Sequence, residues 1–348
     1  MKQGEAVVLA VALTLAIVSV PSSADTIHVP VDQPTIQAGI DAAGEGDVVL
    51  VAPGTYTGAD NRHLSFGGTN MTVMSESGAA QTIIDCESAG VAFHLYSGED
   101  STSVIRGFTI TNGSGGNGGG IVIDEAAATI EECVFSNNTA TLNGGGIWYG
   151  YAPSPGVIRN CVFFGNSTQF RGGGIECDNC WGENVPPVIT NCVFYDNTAG
   201  TGGSWGGGAI FCNSAAAIIT GCTIVGNTGD TGAGGIGAHS NTPTVRRCII
   251  AFSTAGAATD DCDVDHCIIF GNAGGDRVDG SSRENLITDP LLCDWETWDL
   301  EVCADSPCVA TDPENPWGVQ IGAYGAGCGD CDSPVEKSSW GSIKAMYR

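Results

Sequence analysis

Lysine is nearly missing from this chain. None lies between residues 25 and 336, and the 348 residues carry 12 Lys and Arg against 39 Asp and Glu, a net charge of −27. Charge of that sign argues against nucleic acid, anionic lipid and uronate polymers as bare partners. It suits a surface kept soluble in salt, or one that holds divalent cations. Long helical periods are missing as well. Apolar residues come in short runs rich in Ile, Val, Phe and Thr, parted by Gly and Asn, which points to strands and away from helical folds. Beyond residue 20 no apolar stretch reaches spanning length, so no transmembrane segment is expected in the mature chain. The one apolar run, Ala6–Val20, follows Lys2 and precedes the small residues Ser22, Ser23 and Ala24. Residues 1–24 therefore read as an export signal, and the mature protein is expected to be secreted or at the cell surface. No Cys follows the run, which disfavours a lipoprotein.

Glycine is abundant, with 52 residues, and it is periodic. GGGI stands at Gly118–Ile121, Gly144–Ile147 and Gly172–Ile175, loosening to GGGAI at Gly206–Ile210 and AGGI at Ala233–Ile236. Between these lie IEECVFSNN, IRNCVFFGN, ITNCVFYDN and ITGCTIVGN, starting at Ile130, Ile158, Ile189 and Ile219. The cysteines of this pattern are Cys133, Cys161, Cys192, Cys222, Cys248 and Cys267, spaced 19 to 31 residues apart. A unit that short cannot bury its own apolar face and must stack on copies of itself. Each unit then forms one turn of a β-coil. The glycines are expected to supply positive φ at corners. Asn138, Asn166, Asn197, Asn227 and Asn272, five places after a cysteine, are expected at corners too, bonding their own copies in the next coil.

These signatures resemble the right-handed parallel β-helix superfamily that includes the pectate lyases. The paired GGGI and FxxN runs are similar to the repeats of polymorphic outer-membrane proteins. TIHVPVDQPTIQAGIDAAGEGDVVLVAPGTYT, from Thr26 to Thr57, looks like the entry cap of bacterial β-helix proteins. The resemblance implies a short helix over roughly residues 34–43 that closes the first coil. The expected organisation is all-β: a right-handed parallel β-helix over 25–334, with an N-terminal helical cap and first strand over 25–60. Glycine-rich repeats fill 105–288, and a final coil and disulfide-tied cap fill 289–334. A basic tail, 335–348, follows. It carries Lys337, Lys344 and Arg348 against Glu336 and reads as an attachment segment or a frayed end. Caps at both ends of the coil argue for a monomer.

Sixteen cysteines in an exported chain imply disulfides. The repeated six are expected to stack inside the coil as small apolar fillers. Cys177 and Cys212 occupy matching places in adjacent coils and are a candidate cross-link, with Cys177–Cys180 as the alternative. Cys293, Cys303, Cys308, Cys328 and Cys331 are candidates for tying the C-terminal cap.

Alternation of faces along a strand locates candidate sites. With the Ile of each GGGI inward, Ile123, Tyr149, Cys177, Cys212 and Ala238 also point in. Val122, Trp148, Glu176, Phe211 and Gly237 form a first outward column. Asp124, Gly150, Asp178, Asn213 and His239 form a second. Aromatics beside carboxylates suit neutral sugar rings, so Trp148, Glu176, Asp178, Phe211, Asn213 and His239 are candidate ligand-binding residues. Glu176 and Asp178, on one face, are spaced as an inverting glycosidase would need and are the candidate catalytic pair. The polygalacturonate hydrolases of the superfamily carry NTD and GHG runs, and this chain has neither; no arginine stands in the outward columns to serve a lyase. Asp261, Asp263 and Asp265 alternate onto one face and are a candidate Ca²⁺ site; no cofactor is required. The leading expectation is an exported, non-catalytic β-helix that binds a polysaccharide or cell-surface component. The alternatives are a carbohydrate-active enzyme, hydrolase or lyase, and a calcium-stabilised structural solenoid.

Overall fold

The computed structural model describes residues 24–180, 187–200, 206–276, 278, 284–329 and 331. All but the last residue of the expected export signal, and the whole of the basic tail, lie outside the described residues. The chain winds as a parallel solenoid whose strands stack from coil to coil into three sheets. The first sheet stacks ten strands, from Thr26–Val29 to Asp263–Asp265, and the second nine, from Gly54–Tyr56 to Ile268–Phe270. The third runs through Ile121–Asp124, Ile147–Gly150, Ile175–Asp178 and Ile210–Asn213 into Thr228–His239. Neighbouring coils pair in register: Ile121 with Ile147, Ile147 with Ile175, Ile175 with Ile210, Ile210 with Ile236.

Single left-handed residues make the corners. One stands just before each ladder cysteine: Glu132, Asn160, Asn191, Gly221, Arg247 and His266, with φ from +51° to +64°. Another stands at Asn137, Gly165, Asp196, Gly226, Phe252 and Gly271, with φ from +54° to +67°. The asparagines expected at corners therefore sit one residue past them. Asn138, Asn166 and Asn197 are fully buried, and each Nδ2 donates to the Oδ1 of the next copy at 2.9 Å. They form a hydrogen-bonded ladder inside the coil, in which each Oδ1 also accepts from the backbone N–H of the preceding copy, just past the corner.

The glycine triplets also do more than turn the chain. The first glycine has positive φ, +67° at Gly144 and Gly172. The second lacks room instead: a Cβ on Gly145 would stand 2.3 Å from Gly173 O, and one on Gly173 would stand 2.3 Å from Gly208 O. Backbone meets backbone between coils there, and no larger residue fits.

The interior is layered. Phe135, Phe163 and Phe194 stack at 4.6 and 4.7 Å with rings nearly parallel. The six ladder cysteines are buried as free thiols, with sulfurs directed at backbone carbonyls such as Ile130 O from Cys161.

A helix over Ile36–Ala42 closes the first coil, capped by Thr35, whose side chain accepts from Ala38 N. The C-terminal segment does not sit only on the end of the coil. A three-stranded sheet of Leu292–Asp294, Asp299–Cys303 and Ala326–Cys328 brings Leu292, Leu300 and Val302, with Ile321, against the outer face of the second sheet. There it covers Val193, Tyr195, Val225, Ile249, Ala251 and Ile268, which point away from the main core. Two disulfides tie it, Cys293–Cys328 and Cys303–Cys331. The proposed Cys177–Cys212 and Cys177–Cys180 bonds do not form, and Cys308 is free as well. Cys177 and Cys212 pair in register and fill the main core as apolar side chains. The covalent ties fall instead on a segment too short to bury a core of its own.

Candidate functional site

The register of the outward columns is as the alternation requires: Trp148 pairs with Glu176, and Glu176 with Phe211; Asp178 pairs with Asn213, and Asn213 with His239. Their environment is not the expected open face. Trp148 is 4% exposed, and Glu176 and Phe211 are fully buried. The glycine turn explains this. It carries the residue before each triplet back over the strand. Asn143 and Arg171 form a parallel bridge of their own, with Gly118 N donating to Asn143 O and Gly144 N to Arg171 O, both at 2.9 Å. A Cβ on Gly144 would stand 2.9 Å from Trp148 Cα, so the turn lies directly on the row. Alternation along a strand separates inside from outside of the coil, but outside is not water where a turn folds back.

Under this roof sits a compact polar cluster. Arg171 Nη2 is 3.4 Å from Glu176 Oε1, a contact without hydrogen-bond geometry, and its guanidinium lies 5.0 Å from the Phe211 ring centre. Asn143, with its amide turned to satisfy both ends, donates to Glu176 Oε2 at 3.2 Å. Glu176 Oε1 and Trp148 Nε1 have no hydrogen-bond partner. Asp178 accepts from Asn213 Nδ2 at 2.7 Å and Asn179 Nδ2 at 2.8 Å. Burial pushes the Glu176 carboxyl up to about 8; the nearby Arg171 charge opposes that shift and the Asp178 charge adds to it. Burial also raises Asp178, against its hydrogen bond from Asn213.

A raised carboxyl makes stability depend on pH in a defined direction. The folded chain keeps a proton on Glu176 that the unfolded chain releases near its ordinary value of about 4.3. Stability from this group is therefore complete below that value, falls as pH rises, and stops falling above about 8. The urea midpoint is expected to drop between pH 5 and pH 9, and Glu176→Gln, neutral throughout, is expected to flatten the slope. An unchanged slope in that variant would refute the assignment.

A groove open to ligand lies two coils earlier on the same sheet. Strand Phe93–Leu95 pairs with Ile121–Ile123, so His94 occupies the Val122 and Trp148 column one coil further toward the N-terminus. Beside it a groove of about 720 Å³ is lined by His63, His94, Val122, Asp124, Trp148 and Asn117, with the backbone of Gly90 and Ser114–Gly116. His63 packs against the glycine side of the wall; a Cβ on Gly90 would strike its ring. Burial lowers His94, while the Asp124 carboxylate pulls it the other way. Burial raises Asp124, with the Glu125 charge adding to that shift. Tyr96, 56% exposed, holds its ring 4.7 Å from that of His94. Tyr151 is 43% exposed and packs on the Trp148 ring at 5.9 Å.

Of the residues expected to bind ligand, only Trp148 lines this groove. His63, His94, Asp124, Asn117 and Tyr96 were not singled out for binding. The strand FHL lacks a GGGI prefix, so the repeat pattern does not reach it; extending the column by one coil from Val122 would have found His94.

The expected row of three aspartates also breaks up. Asp261 is an exposed corner residue with φ +55°. Asp265 is ion-paired with Arg246 in the neighbouring strand, and Asp263 lies 3.7 Å from the same guanidinium. His266 Nδ1 approaches Asp265 at 2.7 Å. Corner geometry takes Asp261 off the strand, and an arginine occupies the place a cation would need.

The family comparison agrees with this architecture. The family described as right handed beta helix region matches residues 169–289. Protein of unknown function (DUF1565) matches residues 68–211. The chain is a right-handed β-helix repeat protein. No curated protein and no solved structure matches it. Among the described residues, no helix of this β-helix protein is long and apolar enough to cross a membrane.

Proposed function

We propose that this β-helix is an exported protein that binds a neutral glycan in the groove between His63, His94, Asp124 and Trp148. The observation that carries the reading is the lining itself. It is a groove of about 720 Å³, and it mixes an indole and a valine with imidazoles, a carboxyl, an amide and the small Gly90, Gly115 and Gly116. A few convergent polar groups on an apolar wall are what orient a small polyol. No lysine or arginine lines it, and the chain carries −27 overall, so an acidic polymer has nothing to pair with there. Exposed Tyr96 and Tyr151 flank it and offer ring faces for sugars. Residues 1–24 and the two disulfides support export. Turnover by Glu176 and Asp178 draws no support from their burial beneath the glycine turns.

The test is retention of residues 25–348 on neutral and acidic polysaccharides. Wild type is expected to be held by a neutral polymer and to pass through acidic ones. His94→Ala and Asp124→Ala are each expected to weaken retention about tenfold, roughly 1.4 kcal/mol, with the melting temperature nearly unchanged. Retention that survives both substitutions would sink the reading.

A further inference from the structure

The C-terminal cap gathers four sulfurs, three on adjacent strands and the fourth, that of Cys331, just past the last strand. Cys293, Cys303 and Cys328 bring their Sγ atoms within 4.8 Å of one another, and Cys303, Cys331 and an Asp305 carboxylate oxygen do the same. The two disulfides thus share a face, and Cys303 Sγ and Cys328 Sγ, which belong to different bonds, are 3.7 Å apart. In a tetrahedral thiolate zinc centre, Zn–S bonds of about 2.3 Å place neighbouring sulfurs about 3.8 Å apart. Cys328 and Cys331 have the two-residue spacing of a zinc-binding pair. Cys331 is fixed at its backbone, where its N–H donates to Asp305 Oδ1 at 3.3 Å.

We propose that these four cysteines form an alternative metal site: when the disulfides are reduced, Cys293, Cys303, Cys328 and Cys331 bind one Zn²⁺ as a tetrathiolate. The cap then stays closed in either redox state. It has reason to, because it covers apolar residues of the second sheet such as Val225 and Ile249. In the exchange, each disulfide takes two electrons and two protons from one dithiol, which closes to its own disulfide. The four thiols then release four protons as the metal binds. The coil thiols are buried in rows, one per coil, with sulfurs directed at backbone carbonyls; among the described residues, the groups of three that converge within 4.8 Å lie in the cap.

The experiment uses the full chain, reduced with a dithiol under argon, freed of reductant and titrated with Co²⁺. Uptake of one Co²⁺ per chain is expected, with the visible absorption of tetrahedral cobalt thiolate and displacement by Zn²⁺. Cys303→Ser and Cys331→Ser are each expected to weaken binding by at least about tenfold, with circular dichroism confirming an intact coil. Unreduced protein is expected to take up none. Absence of tetrahedral cobalt in reduced wild type would overturn the proposal. So would uptake by unreduced protein, or uptake unchanged by either substitution.

Discussion

Replacing Asn197 with alanine is expected to remove about 4 kcal/mol of stability, the sum of several orphaned polar groups at about 1–3 kcal/mol each. Asn197 is fully buried. Its Oδ1 accepts from Asn166 N at 3.2 Å and from Asn166 Nδ2 at 2.9 Å. Its Nδ2 donates to Phe163 O, Tyr195 O and Asn227 Oδ1 at 2.9 to 3.1 Å. Truncation removes the acceptor of the Asn166 backbone N–H and one acceptor of the Asn166 side-chain amide, and takes a donor from the Phe163 carbonyl, in a buried site. Because each asparagine is both donor and acceptor to its neighbours, the loss is felt in the coils above and below. Urea unfolding followed by circular dichroism measures it, with exposed Thr139→Ala as a control expected to stay within about 0.5 kcal/mol. A loss below about 1 kcal/mol for Asn197→Ala would mean that the ladder contributes little.

Gly173→Ala is expected to lose about 3 kcal/mol or to fail to fold, at the upper end of overpacking effects. The added Cβ would meet Gly208 O at 2.3 Å and Thr198 N at 2.7 Å, both backbone atoms that cannot turn aside. Its φ is not in the left-handed region, so the effect is one of space between coils rather than of conformation. Gly329→Ala is the control for space, since its φ is not left-handed either. A Cβ there meets nothing within 4 Å, and the substitution is expected to be neutral or to stabilise by a few tenths of a kcal/mol through the unfolded chain. Equal losses at Gly173 and Gly329 would contradict the close approach of coils.

The coil was legible because its signals are local and repeated. Ile after each triplet, the cysteine column and the in-register asparagines all fall where stacking demands, and each copy reinforces the last. The N-terminal helix was legible from its resemblance, and Thr35 supplies its cap. Trp148, Glu176 and Phe211 were assigned the right side of the strand and the wrong surroundings. Their burial depends on Asn143 and Arg171 lying back over the strand, a non-local contact that no alternation reports. Arg171 stands outside the outward columns for the same reason, although its guanidinium is 3.4 Å from Glu176. The side cover on the second sheet had a signal in the sequence. The outward positions change from Thr111 and Ser136 in early coils to Val225 and Ala251 in later ones, and an apolar outward column needs a partner. Disulfide pairing had no such signal, because spacing alone does not select among sixteen cysteines.

The most direct test of the groove is the imidazole NMR spectrum during titration with a neutral oligosaccharide. The chain has only 5 histidines, so each signal can be assigned by single substitution. Binding in the groove predicts that His63 and His94 shift together and saturate with one affinity, while His28, His239 and His266 stay in place. Shifts centred on His239 or His266, or none at a concentration that retains the protein on the same polymer, would place binding elsewhere and contradict the account.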